Sequence, residues 1–284
     1  MNKKLISIAV PVYNEEAMLD EVYSRTASVM EGLAGYDYEI VFFDDGSTDG
    51  SRAKIEELCE KDERVKAVFY NRNFGYSKSI YYAARETKGD CTVLLHCDLQ
   101  NPPEVIPEFV KKWEEGHDVV LGVKNKSREN PFMYFMRTVF YFLMRVFFGV
   151  KLIPHATEFE LFDKSFTDIL KKTDYPNPFL RGIVLEYARN IDRVYFVQDK
   201  RKKGKSKFNL SKYYDFAICG IVNCSTKLPR RMILLSLIGG VIAAAELVFN
   251  FIPDYIHGYV LRLSNGLILR GIVFLILILI IFIS

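Results

Sequence analysis

Five cysteines, Cys59, Cys91, Cys97, Cys219 and Cys224, include no CxxC pair, so the chain carries neither a disulfide framework nor a zinc ribbon. A reducing compartment is the default. The formal net charge of +3 is too small to argue for nucleic acid as a partner. Near the N-terminus a basic pair, Lys3 and Lys4, is followed by no sustained apolar stretch, because Pro11, Asn14, Glu15 and Glu16 arrive too soon for a signal peptide. Internal repeats and low-complexity segments are also lacking. With 284 residues, 50% hydrophobic and 26% charged, the chain is neither disordered nor fibrous and can bury a sizeable core in one or two domains.

The distribution of charge says more than its sum. Lys200, Arg201, Lys202, Lys203, Lys205, Lys207 and Lys212 form a run with no acid among them. A hydrophobic tail follows. Met232 to Ile252 carries one charge, Glu246, and at ~1.5 Å per residue is long enough for a ~30 Å hydrocarbon core. Gly266 to Ser284, broken by Arg270, is a second span and completes a transmembrane hairpin, within which Glu246 is expected to pair with Arg270. Lys227, Arg230 and Arg231 place the preceding domain in the cytoplasm, with the 253–265 loop on the far side.

Before the tail, apolar runs alternate with amphipathic helical ones: Leu5–Val12 then Glu15–Glu31, Tyr38–Phe43 then Ser51–Lys61, Val65–Tyr70 then Tyr76–Thr87, Cys91–His96 then Glu104–Trp113, and Asp118–Val123. This repeated βα pattern predicts an α/β fold with a mostly parallel sheet covered on both faces. Pro131 to Gly149 is rich in Phe and holds Arg137 and Arg145. It reads as a membrane-surface helix whose arginines reach the headgroups, with core packing and a span as alternatives. Asn209 to Leu228 is a further helical stretch along the bilayer.

Polar residues gather where the strands end. The fourth apolar run leads into Asp98-Leu99-Gln100-Asn101-Pro102-Pro103-Glu104, and the prolines prevent a central strand from continuing. The second ends in Asp44-Asp45-Gly46-Ser47-Thr48-Asp49-Gly50. Ser47, Thr48 or Asp49 is explained as a helix N-cap, but adjacent acids at a sheet rim repel each other and call for a ligand or cation. The first ends in Pro11-Val12-Tyr13-Asn14-Glu15-Glu16. In open α/β sheets ligands bind at the carboxyl ends of strands. Tyr13, Glu15, Asp44, Asp45, Asp98 and Gln100 therefore converge on one edge.

These segments, together with Asn71-Arg72-Asn73-Phe74-Gly75, Phe179-Leu180-Arg181-Gly182 and Gly204-Lys205-Ser206-Lys207, resemble the family 2 glycosyltransferases of GT-A fold, specifically the polyprenyl-phosphate sugar transferases. The resemblance implies a GT-A domain over residues 1–208, with the membrane-surface helix at 131–149. A juxtamembrane helix at 209–230 and two transmembrane helices at 231–284 follow. It implies that Pro11, Tyr13, Glu15, Asp44 and Asp45 line the pocket for a UDP- or GDP-sugar. Asp98 and Gln100 hold Mg²⁺ or Mn²⁺ against the diphosphate, with Asp98 and Glu158 as catalytic residues. Lys124, Arg128, Arg137, Lys205 and Lys207 lie near the phosphate of a polyprenyl (undecaprenyl or dolichyl) acceptor. Attraction to anionic lipid is the plainer reading of the basic run, and both readings put it at the membrane.

The chain departs from that pattern twice. The position two before Asp98 is commonly Asp, and here it is His96. Strand alternation points it to the same side as Asp98, where it ligates metal, bonds phosphate or simply fills the rim. Thr157-Glu158-Phe159-Glu160 stands where relatives tend to have Gly-Asp-Phe-Arg, so an anion replaces a cation at Glu160. The expected activity is an inverting transfer of a hexose to polyprenyl phosphate at the cytoplasmic membrane face. Extension of a glycan or lipid-linked oligosaccharide, and a catalytically weakened scaffold, are the alternatives. A homo-oligomer is left open.

Overall fold

A computed structural model describes residues 3–126 and 152–198 continuously, with short helical pieces at 138–139, 142, 145, 218, 220, 233, 236–241 and 244. The chain divides into two compact units, Met1–Val146 with Val150–Cys224, and Phe147–Gly149 with Ser225–Ser284.

The first unit is built on one seven-stranded sheet. Its strands are β1 (Lys4–Val12), β2 (Tyr36–Asp44), β3 (Val65–Phe69), β4 (Cys91–Leu94), β5 (Val119–Lys126), β6 (Ala156–Asp163) and β7 (Ile191–Val197). Their order is β3-β2-β1-β4-β6-β5-β7. The helices are α1 (Leu19–Glu31), α2 (Ser51–Lys61), α3 (Tyr76–Arg85), α4 (Ile106–Glu114), α5 (Lys164–Lys172) and α6 (Leu180–Tyr187). Strand alternation sends Ile6, Ile8, Val10 and Val12 to one buried layer, with Leu19, Val22, Ile106 and Phe109 from the helices. Ala9, Val41, Phe43 and Leu94 face the other, against Ile80, Phe166 and Ile183. Burial on both faces explains why the strands read as near-continuous apolar runs.

The βα units expected up to β5 are present, with two differences. β4 ends at Leu94 rather than His96, although Leu95 N still donates to Ala9 O at 2.9 Å. The chain then turns at Cys97–Asp98, and Leu99 takes φ 52°. His96 therefore reaches the rim on a departing loop and not by strand alternation. The second difference is an addition to the mostly parallel sheet: β6, which runs antiparallel to both β4 and β5. Its reversal brings its first residues to the edge where the parallel strands finish.

A bulge between Leu121 and Val123 bends β5 near that edge. Gly122 is required there, since a Cβ would lie 2.6 Å from Phe159 O.

In the second unit, Ile233, Ser236–Val241 and Ala244 are helical, and Leu237 and Val241 are exposed. Among the described residues no helix is long and apolar enough to cross a membrane. Most of the expected hairpin, including Glu246 and Arg270, lies outside the described residues.

Candidate active site

The carboxyl ends of β2, β1 and β4 are neighbours: Val12 pairs with Asp44, and Ala9 with Leu94. Between β1 and β4 the strand order reverses direction, which opens a crevice.

Two loops at this edge are stitched together by side chains. Asn14, at φ 53°, donates its amide to Ser47 Oγ at 2.9 Å and accepts the Thr48 amide at 2.7 Å. Glu15 N donates to Ser51 Oγ at 3.0 Å, and Glu16 N to Asp49 Oδ2 at 3.3 Å. Ser47 and Thr48 are thus loop ties and not N-caps. The N-cap of α2 is Gly50, with Asp49 Oδ1 accepting the Ser51 amide at 3.0 Å. Pro11, Tyr13 and Glu15 are half-buried along the seam.

The paired acids have separate partners. Asp44, buried at the end of β2, accepts the Ser47 amide at 3.3 Å. Asp45 accepts from Phe74 N at 2.9 Å and Gly75 N at 3.1 Å. Burial pushes its carboxyl above the ordinary value despite those amides, and Asp44 adds to the rise. Backbone donors offset part of the repulsion between the two acids. Both Asp45 oxygens hold the 71–75 loop. Gly46 makes the turn directly after Asp45 at φ 70°, and a Cβ would sit 2.6 Å from Arg72 C.

Asp98 uses Oδ1 to accept the Gln100 amide at 3.1 Å, closing an Asx turn, and among the described residues Oδ2 accepts no hydrogen bond. Gln100 Oε1 accepts from Gln198 Nε2 at 3.2 Å. Gln198 directly follows β7, and the basic run begins two residues later at Lys200. The Asp98 turn is therefore tied to the root of that run. Among the described residues His96 Nε2 and Asn101 Oδ1 are buried without a hydrogen-bond partner.

β6 and α6 close the far side. Arg181, in the first turn of α6, reaches Glu158 through Nε at 2.7 Å to Oε1 and NH2 at 2.9 Å to Oε2. The Tyr76 hydroxyl also donates to Glu158 Oε2 at 3.2 Å. Burial opposes charge on Glu158, but the guanidinium outweighs it and holds the carboxyl below its ordinary value. Glu160 is the reverse. Fully buried, beside Glu158 and with Oε2 unpartnered among the described residues, its carboxyl is pushed well above its ordinary value. Arg181 and Glu160 share a small cleft with Leu121, Leu152, Ile153 and Val184.

The sequence pattern does not assign roles to Arg181, Tyr76 or Gln198. For Arg181 the signal was present in the Phe179–Gly182 segment, whereas nothing local marks Tyr76 or Gln198. Glu158, expected as catalytic, is locked by two partners and is poorly suited to taking up a proton. Lys124 lies half-buried near the end of β5 with its amide bonded to His155 O at 3.1 Å. Arg128, Arg137, Lys205 and Lys207 lie outside the described residues.

By their chemistry the second Asp98 oxygen, the Gln100 amide oxygen and His96 Nε2, which has no hydrogen-bond partner among the described residues, are the kinds of donor that a divalent cation takes. At the opposite edge Glu115, His117 and Asp192 also approach one another. There the Lys112 ammonium already lies 3.0 Å from both carboxylates, which makes it an ion-pair cluster.

Comparison with known proteins agrees with this geometry. A prophage bactoprenol glucosyl transferase homolog from Escherichia coli is 31% identical, over 94% of this chain and 89% of its own. An undecaprenyl-phosphate 4-deoxy-4-formamido-L-arabinose transferase from Pseudomonas fluorescens is 30% identical, over 87% and 71%. A mannosyltransferase from Pyrobaculum calidifontis, solved with GDP-Man and Mn²⁺, shares the fold at a TM-score of 0.50 and 15% identity, over 98% of this chain and 88% of its own. The family model for glycosyl transferase family 2 matches residues 7–171. With the Asp98 turn at the strand-order switch and these relatives alongside it, the chain belongs to glycosyl transferase family 2.

Proposed function

We propose that the protein moves a hexose from a UDP- or GDP-sugar to a polyprenyl phosphate at the cytoplasmic face of a membrane. The observation that carries this reading is the Asp98 turn, whose Oδ2 accepts no hydrogen bond among the described residues and which is tied through Gln100 and Gln198 to the root of the basic run. The names of the similar transferases supply the acceptor class.

In this reading the nucleotide lies along the stitched loops, beside Pro11, Tyr13, Glu15 and Asp44. Asp98, Gln100 and His96 would hold Mg²⁺ or Mn²⁺, which when bound neutralises the diphosphate as leaving group. Lys124, Arg128, Arg137, Lys205 and Lys207 hold the acceptor phosphate. Because that phosphate is already ionised near neutral pH, its oxygen attacks the anomeric carbon without a strong general base. Attack opposite the departing diphosphate inverts the carbon and gives a β-linked lipid-phospho-sugar. Glu158 need take no proton and serves by holding Arg181 and Tyr76. The 232–252 and 266–284 segments anchor the domain beside its lipid substrate.

Incubating the full chain with undecaprenyl phosphate, Mg²⁺ or Mn²⁺ and a panel of radiolabelled UDP- and GDP-sugars tests the proposal. The expected result is label in the lipid phase with one donor. Nucleotide binding without lipid product from any donor would overturn it.

A further inference from the structure

Tyr76 is an aromatic residue left 37% exposed beside the site, where Tyr13 and Phe74 are half-buried. An isolated exposed ring is unremarkable on a protein surface. This one is fixed at both ends. Its backbone begins α3 immediately after Gly75, whose amide is held by Asp45 at 3.1 Å. Its hydroxyl is held by Glu158, which Arg181 grips with two nitrogens. The ring meets His96 edge-on, with centroids 6.1 Å apart and planes at 84°. It therefore bridges the neighbourhood of the Asp98 turn and the Glu158–Arg181 pair.

That span is where the group beyond a diphosphate would lie. Tyr76 joins His96, two residues before Asp98, to Glu158 on β6, so a sugar whose diphosphate is held at Asp98 would have this ring within its surroundings. Sugar rings present apolar C–H faces with a rim of hydroxyls. A rigid aromatic face complements the first, and the Arg181 guanidinium complements the second.

We propose that Tyr76 is a specificity-determining residue, the wall against which the hexose of a nucleotide-sugar donor packs, with the Glu158–Arg181 pair as the positioning group that holds the wall. This rests on the donor assignment made above. The His96 contact gives a nearby imidazole a second place in the same wall.

The test compares binding of the intact nucleotide-sugar with binding of the nucleoside diphosphate alone, by calorimetry on the full chain in detergent. Tyr76→Leu is expected to weaken the nucleotide-sugar about tenfold while leaving the nucleoside diphosphate within about twofold of wild type. Tyr76→Phe keeps the ring and is expected to retain most of the nucleotide-sugar affinity. Equal loss for both ligands in Tyr76→Leu, no loss for either, or a Tyr76→Phe defect as large as that of Tyr76→Leu would overturn the proposal. A wild-type protein that binds nucleotide-sugar but yields no lipid product defeats the acceptor assignment alone and leaves this comparison standing. A wild type that binds no nucleotide-sugar defeats both.

Discussion

Glu158 and Glu160 stand two residues apart on one strand, and their carboxyls are pushed in opposite directions from the ordinary value. The Arg181 guanidinium overcomes the burial of Glu158 and favours its charge, whereas burial and the neighbouring Glu158 charge raise the carboxyl of Glu160. Their effects on stability have opposite signs. For Glu158 the stabilisation is present above the ordinary carboxyl value of 4.5 and is lost as pH falls through its depressed value. Glu160 keeps its proton in the fold while the unfolded chain releases it, so stability declines as pH rises above 4.5. Glu160→Gln removes that decline. Its thermal midpoint should match wild type in acid and exceed it increasingly towards neutrality. A gap independent of pH would contradict the assignment. The sequence shows the missing cation at position 160 but not this consequence, because the compensating Arg181 lies in a later helix. Only the antiparallel course of β6 brings the two together.

At the scale of elements, the βα units up to β5 are legible because their signals are local: apolar runs of strand length, helical spacing of Leu19, Val22 and Met30, and glycine or proline between them. β6 is not legible in the same way. Thr157, Glu158 and Glu160 are all buried within it, so its pattern is neither a clean alternation nor an apolar run. The Asp44-Asp45 pair is a mixed case. Its location at the rim can be read from the residues, whereas the division of labour between the two acids depends on where the 71–75 loop folds back. Asp45→Asn tests that division, since an amide offers one acceptor where two backbone donors now bond. The variant should lose about 1–3 kcal/mol of stability in denaturant titration. Unchanged stability would mean that the loop is held by other contacts.

For the whole molecule, the sheet edge and the basic run converge on one chemistry. β1, β2 and β4 end together, β6 returns Glu158 and Glu160 to their edge, and Gln198 ties the chain leading to Lys200 to the Asp98 turn. The convergence of the first three was readable from strand ends, while the Gln100–Gln198 tie joins residues 98 positions apart and has no sequence signature. The central claim is that the Asp98 turn drives transfer onto a lipid phosphate. The most direct measurement sets wild type beside Asp98→Ala, in matched amounts, with undecaprenyl phosphate, Mg²⁺ or Mn²⁺ and the donor the wild type accepts, and counts labelled lipid. A loss of at least about 100-fold is predicted, the scale of removing a principal group that stabilises the leaving charge. Transfer by Asp98→Ala at the wild-type rate would contradict the account.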